Sequence, residues 1–215
     1  MSDSVNTDNH SAIWAGAPRP WLQSFTGKPI DLPVPKPGQL TIQDVAHALS
    51  LKCRFGGHCN RMYSVAEHSI RGELLLPPAF QLPFLLHELS EVALPDIPAP
   101  LKPMVFVRLD ASGEMQSWAE LETQHTHAIL EGLNLLSIEP LIYSAEVKKM
   151  DLSMLAWEKE TFMGGAISAG NGYVWKLPVP PPSDAERERW DVLLEDQGRS
   201  SDEELFLMEY WRLTR

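Results

Sequence analysis

The sequence predicts an all-α domain with a short β-hairpin-like segment near its start and extra helices at its C-terminal end. Three observations carry this reading. Apolar residues recur at steps of three and four in several segments, Ser or Thr followed three positions later by an acidic residue stands at the start of some of them, and proline or glycine clusters separate them. With 215 residues, 44% hydrophobic and 22% charged, the chain has the composition of one folded domain around one core, not of a disordered or fibrous chain.

Residues 1–20 are polar and irregular and are expected to fray. Trp21 to Leu32 reads as a short extended pair turning at Thr26-Gly27, and Pro29, Pro33, Pro35 and Pro37 exclude a helix there. Thr41 with Asp44 opens a helix whose apolar positions are Val45, Ala48 and Leu49, and Arg54-Phe55-Gly56-Gly57-His58 follows as a glycine-hinged loop. Ser64 caps a helix to about Leu76, Pro77-Pro78 breaks it, and a further helix is predicted from Ala79 to Leu94 before the proline-rich loop Pro95 to Pro103. Longer helices are expected over Ala111 to Leu133 and Pro140 to Met163, the second ended by Gly164-Gly165 and Gly170 to Gly172. Tyr173 to Leu177 reads as a short strand, Ser183 with Glu186 as a capping box for a helix near Trp190, and Glu203 to Arg212 as the last helix. Residues 21–177 are therefore expected to form the main domain, with 178–215 a helical extension packed on the same core.

Composition also excludes some functions. The start lacks the basic flank and apolar stretch of a secretory signal, and no apolar run approaches the roughly 20 residues of a membrane span, so a cytoplasmic location without a membrane partner is expected. Eighteen Lys and Arg against 29 Asp and Glu give a formal charge of -11, which disfavours binding to a nucleic-acid polymer. An anionic small substrate would then need local help from a metal or an arginine. Cys53 and Cys59 do not have the spacing of a CxxC pair and read as structural.

Ionisable residues on apolar stripes are the informative ones, because an unpaired buried charge is costly. His68 follows Val65 by three and precedes Leu75 by seven, so it points inward. Phe80, Phe84, His87, Glu91 and Leu94 form one stripe on the expected helix, and Glu88 lies between Leu85 and Val92 on a neighbouring line. Asp151 sits among Val147, Met154 and Leu155 on a later apolar face. Two imidazoles and two carboxylates from three helices make a mixed nitrogen and oxygen set suited to one divalent Zn, Mn, Co or Fe ion. His47 and His125 sit at helical positions where a structural hydrogen bond is expected.

His68 within Val65-Ala66-Glu67-His68-Ser69, then His87-Glu88-Leu89-Ser90-Glu91, then Asp96-Ile97-Pro98, then Asp151, resembles the HD-domain phosphohydrolases, in particular the 5'-deoxynucleotidases and related phage-borne nucleotide hydrolases. The resemblance covers about Thr41 to Glu160 and implies an HD-domain helical bundle. It implies His68, His87, Glu88 and Asp151 as metal ligands, with Glu91 and Asp96 in water activation and proton transfer. Arg54 and Phe55 lie about where the resembled nucleotidases place an Arg-Trp pair, which implies a phosphate grip and an aromatic wall, and Lys102 is a further phosphate candidate. Glu88 departs from the family, whose second paired ligand is aspartate; the extra methylene moves the carboxylate by about 1.5 Å.

The implied reaction is hydrolysis of a 2'-deoxynucleoside monophosphate to deoxynucleoside and phosphate. Two alternatives stand beside it: a deoxynucleoside triphosphate triphosphohydrolase, which would want more cations than Arg54, Arg61, Lys102 and Lys148 offer, and a nucleotide-binding sensor without catalysis. The resemblance is also compatible with a homo-oligomer.

Overall fold

Most of the helices begin where a side-chain oxygen accepts from a free amide of the first turn. The computed structural model describes residues 20–108, 115–163, 175–190 and 201–215. The expected frayed start, the glycines from Gly164 to Gly172, and Tyr173-Val174 lie outside them. Strand β1 (Trp21–Gln23) pairs antiparallel with β2 (Pro29–Asp31), Leu22 opposite Ile30, with Gly27 in the turn at φ 86°. Helix α1 (Ile42–Leu51) starts with a capping box, Asp44 N–H donating to Thr41 Oγ1 at 3.3 Å and Thr41 N–H to Asp44 Oδ2 at 2.8 Å. Thr26 N–H also donates to Asp44 at 2.7 Å, which ties the hairpin turn to the helix.

Helix α2 (Val65–Glu73) is capped by Ser64, whose oxygen accepts from Glu67 N–H at 2.8 Å. Helix α3 (Pro78–Leu85) is much shorter than the expected span to Leu94. Pro83 removes one amide from the helical ladder, and the Phe84 carbonyl takes His87 Nδ1–H at 2.6 Å and the His87 amide at 3.3 Å. The chain therefore leaves the helix and re-forms as a 3-10 turn over Leu89–Val92. His87 and Glu91 do not lie on one continuous helical face.

Strands β3 (Phe106–Arg108) and β4 (Met115–Ser117) pair antiparallel, where the sequence suggested that a helix had already begun at Ala111. Helix α4 (Trp118–Gly132) begins instead after Ser117, which makes a capping box with Glu120. The expected helix from Pro140 is likewise two: α5 (Glu139–Ile142) and α6 (Ala145–Phe162), the latter opened by Ser144 accepting from Val147 N–H at 3.3 Å. Trp175 to Leu177, the described part of the expected strand, is irregular.

Helices α7 (Asp184–Trp190) and α8 (Asp202–Thr214) return to the body: α8 lies against α1, α2 and α3, and Trp190, Phe206 and Tyr210 enter the same apolar core as Leu49, Tyr63, Phe84, Leu130 and Met154. Arg212 clasps the fully buried Glu73 carboxylate at 2.9 and 3.1 Å. Among the described residues no helix is long and apolar enough to cross a membrane.

The α2–α3 contact is unusually close at Gly72, where an added Cβ would stand 2.1 Å from Phe84 Cε1. Phe84 is fully buried and packs against both His68 and His87, with ring centroids 5.6 and 4.3 Å away. Gly72→Ala is expected to destabilise the fold by about 1–3 kcal/mol through overpacking, read as a lowered denaturation midpoint at unchanged m-value.

Candidate metal centre

Three stretches of chain bring four ligand atoms together. α2 supplies His68, the turn after α3 supplies His87 and Glu88, and α6 supplies Asp151. The four atoms lie within 4.8 Å of one another. His68 Nε2 is 3.3 Å from His87 Nε2 and 3.4 Å from Asp151 Oδ1, while His87 Nε2 is 3.6 Å from Glu88 Oε1 and 3.8 Å from Asp151 Oδ1. Four ligands at about 2.1 Å from one ion in a tetrahedral array stand about 3.4 Å apart, so the set could hold a single metal ion. Both Nδ1 atoms face away, His87's to the Phe84 carbonyl at 2.6 Å and His68's to Glu158 Oε1 at 2.5 Å, which turns both Nε2 atoms toward the cluster.

The carboxylates are in the form a metal requires. Burial pushes Glu88 up, but His87 and Arg54 hold it below the usual range; burial also opposes Asp151, and its contacts with His68 and His87 hold it well below. Burial and Arg54 lower the His68 pKa, yet Glu158 and Asp151 outweigh them and raise it to about 9. His68 Nε2 faces both Asp151 and His87, and an ion taken by the cluster would displace the proton that this nitrogen carries in the charged imidazolium.

Glu158 is a residue of the candidate site that sequence reasoning missed. It lies seven residues after Asp151 on α6, two turns along the same face, and that spacing was the available signal. Its fully buried carboxylate accepts from Tyr63 Oη–H at 2.8 Å, from His68 Nδ1–H and from Arg54 Nε–H at 3.2 Å. Burial opposes its charge, but Arg54 and His68 hold its pKa at about 2. Arg54 also donates to Glu88 Oε1 at 3.2 Å, so it is clamped between two carboxylates. That second contact holds the longer arm of Glu88.

A cavity of about 900 Å³ opens beside the cluster. Glu88 and Asp151 line it, as do all five residues read as catalytic or substrate-binding: Arg54, Phe55, Glu91, Asp96 and Lys102. Leu155, the Ile97 to Pro100 loop and Trp175 complete the wall. Glu91 is 3% exposed, and its Oε2 has no hydrogen-bond partner among the described residues. Burial, then Glu88 and Asp96, raise its pKa well above the usual range. Lys52, also missed, caps the Glu91 carbonyl and donates to the Leu94 carbonyl at 2.7 Å, fixing the turn that carries Glu91. Lys102 is paired with Glu122 at 2.8 Å.

Several residues are structural, as expected. His125 Nε2 meets the Leu32 carbonyl at 2.8 Å, and His47 meets Glu203 at 3.0 Å while stacking on Phe25. Cys53 and Cys59 are half-buried thiols, and burial together with Cys53 pushes Cys59 up to about 11.

Two outcomes follow from this geometry. Glu158→Gln should weaken Zn or Mn affinity on the order of 10–100-fold, measured by competition with a chelator, because the group orienting His68 loses its charge. It should also destabilise the protein, since Arg54 loses a buried partner. Metal uptake near pH 7 should release protons, seen as a calorimetric heat that depends on buffer ionisation enthalpy, and should strengthen as the pH rises toward the His68 value.

No family model matches the chain. The uncharacterized protein YfdR of Escherichia coli (strain K12) is 32% identical over 139 residues, 65% of this chain and 70% of that one. An uncharacterized protein of Rhodobacter capsulatus is 28% identical over 155 residues, 68% of this chain and 74% of the relative. With that identity to YfdR over more than two thirds of its length, the chain belongs to the YfdR family.

Proposed function

We propose that the chain is an HD-type, metal-dependent phosphohydrolase that converts 2'-deoxynucleoside 5'-monophosphates to deoxynucleosides and phosphate. The observation that carries the reading is one juxtaposition: a four-ligand cluster, two members of which line a cavity that also holds the buried carboxyl of Glu91, whose Oε2 has no hydrogen-bond partner among the described residues. His68, His87, Glu88 and Asp151 would hold the ion, which would supply Lewis-acid polarisation of a phosphoryl oxygen and a lowered pKa for a bound water.

The chain's own residues do the rest. A carboxyl held well above the usual range can keep a proton that an ordinary carboxylate has lost and pass it on, which suits Glu91 to the proton transfers of hydrolysis, with Asp96 on the same cavity wall as its partner acid. Arg54 and Lys102 offset negative charge on the phosphoryl group, and Phe55 bounds the organic part of the substrate. Both cations already serve carboxylates, Arg54 those of Glu88 and Glu158 and Lys102 that of Glu122. That leaves little positive charge for a polyphosphate tail and favours a monophosphate.

Phosphate release from deoxynucleoside mono- and triphosphates with Mn, Co, Zn or Fe tests the reading, with monophosphates expected to be the better substrates. His68→Ala or His87→Ala should reduce bound metal to background, whereas Glu91→Gln should keep the metal and lose turnover by about 10²–10⁴-fold. Glu88→Asp should change metal affinity by no more than about tenfold and keep hydrolysis, because Arg54 already accommodates the longer side chain. An inactive wild type beside an active Glu88→Asp variant would overturn the enzyme reading, and two inactive proteins that still bind deoxynucleotide would make the site a sensor.

A further inference from the structure

Phe55 stands in a backbone conformation that a bulky side chain rarely takes, φ 58° and ψ 28°, followed by Gly56 in nearly the same one. Such a conformation persists only where its surroundings impose it. The Arg54 guanidinium lies 5.6 Å from the Phe55 ring centroid, and the ring lines the cavity.

Trp175 lines the same cavity, its ring centroid 6.4 Å from that of Phe55 and its plane tilted by 55°. At that distance and angle the two rings are a tilted aromatic pair in contact with one another, and together they give the cavity an aromatic wall on which a planar group can lie. The lining also includes Ile97, Pro98, Pro100 and Leu155, whose side chains carry no hydrogen-bonding group. The charged groups of the same lining are Glu88, Glu91, Asp96, Asp151, Lys102 and Arg54, the last packed against the Phe55 ring. A ligand matching both kinds of group carries an anionic group next to a flat, apolar-faced ring.

We propose that Phe55 and Trp175 form a stacking subsite that takes the nucleobase of the substrate. It rests on the phosphohydrolase reading for the identity of the anionic end. Base recognition there is by ring faces, and stacking of one base on an aromatic side chain is of a size to change affinity by about tenfold or more.

Calorimetric titration with free deoxyadenosine and thymidine, which carry no phosphate, separates this subsite from catalysis. Wild type should bind both nucleosides, Trp175→Ala and Phe55→Leu should each weaken binding by about tenfold or more, and Trp175→Phe should restore most of it. Circular dichroism and melting curves show that the variants are folded. In turnover, Trp175→Ala should lower kcat/KM for a deoxynucleoside monophosphate relative to that for deoxyribose 5-phosphate, mostly through KM. Nucleoside binding unchanged in folded Trp175→Ala, or absent from wild type, overturns the subsite. A wild type that binds nucleosides through Trp175 yet hydrolyses no phosphate ester supports the subsite and defeats the hydrolase reading alone.

Discussion

The buried carboxylate of Glu158 is the point from which the centre is built. It joins α6 to the turn after α1 through Arg54, to Tyr63, and to α2 through His68. An isolated charge at that depth would be neutralised or expelled, so its persistence depends on a guanidinium, a phenol and an imidazole converging on it. Each partner is thereby fixed in turn: His68 presents Nε2 to the cluster, and Arg54 is held where it reaches Glu88. Asp151, two turns before Glu158 on the same helix, is carried to the cluster by the same packing of α6.

The break after α3 does the complementary work for His87 and Glu88. On a continuous helix, adjacent side chains diverge by about 100°. Here His87 closes on the Phe84 carbonyl and Glu88 adopts φ -98°, ψ 22°, so the chain turns out of the helix between them and both reach the same centre. The stripe of Phe80, Phe84, His87, Glu91 and Leu94 picked out polar residues that lie at the cluster and the cavity, although the helix itself stops at Leu85. It did so because a 3-10 turn still buries residues at three-residue spacing, and Glu91 and Leu94 remain inside.

What was legible in the sequence was local. Thr41 and Ser64 marked helix starts because a cap is a contact between residues three apart, and the ligand set stood out because charges on apolar faces are rare. Ser117 and Ser144 carry caps of the same kind, but continuous apolar spacing across them hid the breaks. The β3–β4 pair was not legible because strands of three residues carry almost no period. Nor were the partners of Arg54, which lie 34 and 104 residues away in sequence and turn an expected phosphate grip into a group that also organises the ligands. Trp175 left no signal because it sits in irregular chain, where no face is defined.

The charge balance of the cavity limits what it can hold. Glu88, Glu91, Asp96 and Asp151 face it against Arg54 and Lys102, four carboxyl groups to two cations, in a chain whose formal charge is -11. An anion entering such a space meets repulsion unless positive charge is added or acid groups hold their protons. Glu91, raised by burial and by its acidic neighbours, answers part of that demand by favouring its neutral form. A divalent ion on the four ligands would add two positive charges, and these would be most of what an anion meets, because Arg54 also serves Glu158 and Lys102 serves Glu122. On the proposed reading, so limited a supply of positive charge suits one phosphate group better than a chain of three.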